Sequence, residues 1–262
     1  MHKPKKSPLK NNPLRTPGQS LDEEMQRILG DDVTSYFFVP AIFILLAALS
    51  WLEWYGITQR PDPIIITIFA ISLSIYSIFK LVKIKNLLKS LRLGRDGERA
   101  VGQSLDALRR KGYRIFHDLI GDGFNLDHVI ICEKGAYTVE TKTRSKPAKG
   151  FCEIIYNDDG ISINGHTSDN KMLIQAKAQK KWLEKSIAEL TGIKLTVIPI
   201  VVFPGWFIKD SRDKKRDKVW VLEPKALPAY IDKQPNVISE EQVRLIANHI
   251  SLQNRASYSR KS

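Results

Sequence analysis

Cysteine is scarce: Cys132 and Cys152 are the only two in 262 residues. Two thiols cannot build a disulfide framework or a zinc site of four cysteines. Acidic residues are in deficit, 28 against 41 Lys and Arg, which leaves a formal charge of +13. Two long stretches, 33–52 and 63–79, have no charge at all. The chain is otherwise 43% hydrophobic and 26% charged, which excludes a wholly disordered protein or a low-complexity fibre. One or two folded domains remain, with a positive surplus that suits an anionic partner. Nucleic acid and the cytoplasmic leaflet of a membrane both qualify.

The charge is unevenly placed. Residues 1–35 carry a net +1, 36–79 a net −1, 80–112 a net +7, and the remaining 150 a net +6. The densest positive block starts where the second apolar stretch ends. Twenty helical residues span about 30 Å, the thickness of a bilayer's hydrocarbon core. The first run has that length, with Pro40 inside it and Trp51, Trp54 and Tyr55 at its end. The second has 17 residues, extendable by Lys80 and Lys83 if their ammonium groups snorkel. The short segment 53–62 between them predicts a tight transmembrane hairpin over 33–83. A buried helical pair in a soluble protein is the alternative. Lys and Arg flank both outer ends, whereas the loop has only Arg60. The positive-inside rule then puts both termini in the cytoplasm, at a bacterial inner membrane, with reduced thiols. Residues 1–32, basic and proline-bearing at the start, read as a largely disordered tail with a short amphipathic helix over 21–30. Residues 84–252 read as a mixed α/β domain, and 253–262 as a polar tail.

In that domain Asp96 is placed to cap a helix over about 97–111, with Val101, Leu105 and Leu108 as its apolar stripe. Glu98 falls on the same face. A carboxylate there is costly unless satisfied, although a first-turn Glu also favours the helix dipole. Strand-like runs at 113–119, 126–132 and 136–143 follow, the last two joined by a turn at Glu133-Lys134-Gly135. A turn of two to four residues sets Asp127 opposite a residue between Glu140 and Lys142. Alternation puts Glu140 and Lys142 on one face and Tyr137, Val139 and Thr141 on the other. Two carboxylates and one ammonium thus gather at one end of a hairpin.

Neighbouring carboxylates repel and ionise together only around a cation. Oxygen donors suit Mg²⁺, with Mn²⁺ as a substitute, and such an ion binds phosphate oxygens and acidifies water. A nearby lysine can position that water or offset developing charge. Ordinary cross-strand salt bridges use the same residue types, so the grouping alone leaves both readings open.

Three blocks carry a resemblance over roughly residues 91–205: Gly94-Arg-Asp-Gly97-Glu98, Asp127-His128-Val-Ile, and Gly135-Ala-Tyr-Thr-Val-Glu140-Thr-Lys142. In this order they resemble the NERD (nuclease-related) domain, a family grouped with the PD-(D/E)xK nucleases. The resemblance implies an α/β fold, a restriction-endonuclease-like mixed sheet flanked by helices. It implies Asp127 and Glu140 as metal ligands, Lys142 as the catalytic lysine and Glu98 as the acidic residue of the first helix. Gln175 and Gln179 are candidates for the family's glutamine positions on a later helix. Leu126 stands where the superfamily's name has proline. His128 alternates to the far face and reads as a packing residue.

Further on, 151–156 and 161–164 read as a second hairpin, and 169–191 as a helix. The apolar run 195–203 reads as a buried central strand, 219–222 as a further strand, and 239–252 as a closing helix capped by Ser239. Trp206 can stack on a base or pack on its own domain. The mixed-charge run 209–218 reads as a solvated loop able to track a phosphate backbone. These features lead to a membrane-anchored, cytoplasm-facing Mg²⁺-dependent nuclease. DNA is its expected partner beside the lipid bilayer, with RNA left open. A catalytically silent nucleic-acid-binding or sensor module, or a membrane scaffold, are the competing readings.

Overall fold

The computed structural model describes residues 13–56, 63–147, 152–167, 170–212 and 219–259. They form two compact units, one from the described residues of 21–93 and one from 13–20 with the described residues of 94–259.

In the first unit a helix, α1 (Gln19–Arg27), passes through a π-helical turn (Ile28–Val33) into α2 (Thr34–Gly56). After 57–62, which lie outside the described residues and hold most of the expected external loop, α3 begins (Pro63–Asp106). Trp51 Nε1 donates to Thr67 Oγ1 at 3.0 Å, Phe43 meets Phe69 edge-on at 4.9 Å, and Tyr36 meets Tyr76 at 6.2 Å. The contacts run in opposite directions along the two helices, so the pair is an antiparallel hairpin. Both helices are long and apolar enough to cross a membrane, and only 11% of the most apolar window of each is buried. A core helix of a soluble domain is not packed that way. Phe37, Ile65 and Phe79 are each more than half exposed.

Helix α3 runs without interruption through Gly94 and Gly97. The expected helix start at Asp96 is therefore corrected: Asp96 caps nothing, because the apolar helix simply continues into the second unit. A 3₁₀ turn (Ala107–Lys111) then ends it at Gly112, whose left-handed conformation (φ +85°) only glycine adopts without strain.

The second unit is built on a five-stranded sheet in the order β1-β2-β3-β7-β9. Its strands are β1 (Arg114–Ile120), β2 (Asn125–Cys132), β3 (Gly135–Thr141), β7 (Val197–Val202) and β9 (Trp220–Leu222). The first three pair antiparallel, and β7 and β9 join parallel, which makes the sheet mixed. Alternation along the strands serves two cores. Ile115, Ile130, Tyr137, Val139 and Ile200 face Val101 and Leu105 of α3 and Leu108 of the 3₁₀ turn, with Leu227 and Ile231 of a short helix, α5 (Leu227–Asp232). Phe116, Val129, Ile131 and Val197 face α4 (Lys171–Thr191) and α6 (Glu240–Ser259). Each fully buried Ile, Leu or Val adds about 1.5–3 kcal/mol, so the sheet is held from both sides.

A second sheet, in the order β6-β5-β4-β8, was only half legible as a hairpin. It comprises β4 (Glu153–Asn157), β5 (Gly160–Ile163), β6 (His166–Thr167) and β8 (Phe207–Asp210). The mixed-charge run thus starts as a strand, and 213–218 lie outside the described residues. Helix α6 has its Ser239 cap: the Gln242 N–H donates to Ser239 Oγ at 3.3 Å and Gln242 Oε1 accepts from the Ser239 N–H at 3.0 Å. It runs through the expected polar tail to Ser259, because Asn254 is buried and donates to the His117 carbonyl. The expected disordered tail differs likewise. Residues 1–12 lie outside the described residues, but 13–20 pack into the second unit.

Candidate active site

The β2–β3 hairpin closes with two residues, pairing Cys132 with Gly135 and His128 with Val139. The next position sets Asp127 beside Glu140. Instead of continuing the backbone ladder, Asp127 Oδ2 accepts the Thr141 N–H at 2.7 Å, so the side chain takes over where the strands part. Glu140 and Lys142 share the face turned to α4. Lys142 Nζ donates to Glu140 Oε1 at 2.6 Å and to Gln175 Oε1 at 3.1 Å.

Helix α4 presents a buried stripe of Met172, Leu173, Ala176, Gln179, Leu183 and Ile187. One member is an amide. A buried amide must be satisfied, and Gln179 Nε2 donates to Glu140 Oε2 and to the Asn125 carbonyl. Both oxygens of Glu140, itself buried, are thereby held, one by Lys142 and one by Gln179. Glu98 reaches the same region from α3. Its helix approaches the end of β3 so closely that a Cβ on Gly97 would lie 1.7 Å from Thr143 Oγ1. Only glycine permits that approach.

Electrostatics mark the cluster as overloaded with negative charge. Burial, then Asp118 and Glu140, push the Glu98 carboxyl up to about 8. Burial, then Glu140 and Glu98, hold Asp127 well above the usual carboxylate range. Three acidic residues come from neighbouring strands: Asp118 of β1, just past the His117–His128 pair, Asp127 of β2, just before it, and Glu140 of β3, next to Val139. Among the described residues no three acidic, His or Cys side chains converge tightly enough to cage a metal ion. Mg²⁺ asks less than a cage: one or two carboxylates, with water and phosphate oxygens completing its shell. In donor type and in unbalanced charge, Asp127 and Glu140 fit that demand.

Residues 93–204 match the family model of the nuclease-related domain. The chain carries a NERD domain. No match emerged among curated proteins or among solved structures. The matched segment of the NERD domain contains every site residue expected from the sequence: Glu98, Asp127, Glu140, Lys142, Gln175 and Gln179. The structure brings them to one end of β3, with the two glutamines on α4 as the resemblance implied. Gln179 is the more deeply embedded of the two.

Two residues lie apart from it. His128 is fully buried on the opposite face, its Nδ1 2.9 Å from His117 Nδ1, and packs there as expected. Trp206 is 2% exposed and donates its indole N–H to the Arg144 carbonyl, so base stacking is ruled out and the packing alternative holds.

The sequence reading missed Asp118, Arg15 and Ser20. Asp118 is buried within β1 and carries a positive φ of 49°. An Asp inside the apolar strand RIFHDLI was the available signal, since such a charge requires a partner. Its partner, Arg15, is more than 100 residues away and outside the NERD match.

Proposed function

We propose that this protein is a membrane-anchored nuclease that hydrolyses DNA phosphodiester bonds with Mg²⁺ at the end of β3. The observation that carries the reading is Lys142 held between Glu140 and Gln175, with Asp127 adjoining, inside a NERD domain. Asp127 and Glu140 would hold the ion. When bound, it would supply an acidified water and positive charge for phosphate oxygens.

The chain's own groups carry the rest. Lys142 has three N–H donors, and two are committed to Glu140 and Gln175. The third would point a water at phosphorus or meet the charge that develops on the phosphoryl oxygens. Gln179 fixes the second oxygen of Glu140, so the carboxylate cannot rotate away. Glu98, raised to about 8, keeps its proton at neutral pH and can exchange it where a general acid or base must.

The two apolar helices would cross the membrane as a hairpin with both termini and the NERD domain in the cytoplasm. Flanking Lys and Arg support this. Thiol labelling of single cysteines placed at 5 and 58 tests it: protection of position 5 and labelling of position 58 from outside is the expected pattern. The nuclease reading is tested with full-length protein in detergent on supercoiled, linear and single-stranded DNA. Cleavage that appears with Mg²⁺ and stops with EDTA supports it, and intact DNA under both conditions opposes it.

One observation favours a silent binding module instead. Both Glu140 oxygens and one Asp127 oxygen are already occupied by protein donors. Salt-sensitive DNA binding without cleavage in Mg²⁺ or Mn²⁺ would select that reading.

A further inference from the structure

Residues 13–20 precede the first apolar helix, yet they pack against the NERD domain at the carboxylate cluster. Arg15 is 3% exposed, and its Nε donates to Asp118 Oδ2 at 2.7 Å. The Ser20 N–H donates to the same oxygen at 2.9 Å, and Ser20 Oγ donates to Asp118 Oδ1. Ser20 Oγ in turn accepts from Arg15 at 3.1 Å and from Asn125 Nδ2 at 2.6 Å. Asn125 is the residue whose carbonyl holds Gln179. A backbone hydrogen bond from Gly18 reaches the Glu98 carboxyl group. Pro17 lies on Gly102 of α3, where a Cβ would come 2.4 Å from its ring.

A buried guanidinium in a loop is costly to desolvate and persists only where its partner and further hydrogen bonds satisfy it. Here Asp118 and Ser20 do so. The same anchor delivers a backbone donor to Glu98 and, through Asn125, braces the amide that holds Glu140. Residues far apart in sequence, on either side of the two apolar helices, therefore meet at one cluster.

We propose that residues 13–20 are a strap that completes the candidate site, with Arg15 as a positioning residue acting through Glu98. This rests on the nuclease reading for its catalytic consequence, but the strap itself does not. The NERD domain cut free of residues 13–20 would lack part of its own site.

The test uses the full chain in detergent and two readouts. Hydrogen exchange comes first: residues 13–20 are expected to be protected in the wild type and to lose protection in Arg15→Met. It is equally expected to be lost in Gly102→Ala, a change that favours helix and touches no charge, so any loss reports the displaced Pro17. Unprotected exchange of 13–20 in the wild type, or protection unchanged in both variants, overturns the strap whether or not the protein cleaves DNA. Cleavage comes second. Arg15→Met is expected to lower kcat about tenfold with KM unchanged, the scale of losing support behind a site residue. Arg15→Lys should recover part of that. Because Arg15 acts chiefly through Glu98, with a lesser route through Ser20 and Asn125, its effect on kcat should fall well below tenfold in a Glu98→Gln background. A full tenfold loss in that background, or an unaltered kcat in Arg15→Met, overturns the positioning role while leaving the nuclease reading intact. A wild type that cleaves nothing refutes the nuclease reading and the positioning role with it, and the exchange data still decide whether the strap is real.

Discussion

Raising the pH of the metal-free protein should weaken it, and the cause lies in Glu98. In the unfolded chain this carboxyl titrates near 4.5, whereas in the fold it titrates at about 8. Between those values the folded state binds one proton more than the unfolded state, so stability falls as pH rises. The full effect is present below 4.5 and is lost by the time pH has passed 8. Asp127, also shifted upward, works in the same direction. His117 and His128 work in the opposite direction: burial depresses both, so their contribution is complete above about 6.5 and is lost as pH falls. The window from pH 6.5 to 8 therefore isolates the carboxylates. One unit is worth about 1.4 kcal/mol per group, which sets a ceiling of roughly 2 kcal/mol from Glu98. For a domain of this size that is roughly 4–8 °C in Tm. Thermal unfolding in EDTA, followed by intrinsic tryptophan fluorescence, measures it. Glu98→Gln removes the titration and should flatten the curve, and Mg²⁺ should restore wild-type Tm most strongly at the alkaline end. A Tm that stays level from pH 6.5 to 8, or a Glu98→Gln protein with the wild-type slope, would refute the reasoning.

Other substitutions probe the parts separately. Gln179→Leu preserves size but strips a buried carboxylate oxygen of its donor, at a cost of about 1.5–3 kcal/mol. Gln179→Glu, which sets a second carboxylate against Glu140, should lower Tm further in the same denaturation series. Gly97→Ala should push Thr143 away, costing about 1–3 kcal/mol, and should lower kcat because Thr143 follows Lys142 directly. His128→Asn keeps a nitrogen for His117 but cannot take up a proton near neutrality. Its acid unfolding midpoint should move to lower pH, as read by circular dichroism.

How much of this was written in the sequence depended on how local each feature was. The Asp127, Glu140 and Lys142 grouping needed only a two-residue turn and strand alternation, and both are short-range rules. Gln179 could be read as an amide on an apolar stripe, though the stripe could not say which carboxylate it serves. The helix boundary at Asp96 failed because the cap residue was read without the apolar helix behind it, and α3 crosses both glycines unbroken. The second sheet was only partly visible, since β8 joins β4 in parallel across about fifty residues. Arg15 was unreadable as a site residue: among basic residues of a proline-bearing tail, nothing local distinguishes the one that becomes buried against Asp118.

Cleavage of supercoiled plasmid by full-length wild type, Glu140→Ala and Lys142→Ala, each with Mg²⁺, tests the central claim most directly. The expected result is nicking by the wild type and a loss of at least a hundredfold in both variants, with DNA binding retained. Equal cleavage by all three proteins would contradict it, since the end of β3 would then not be where the chemistry occurs.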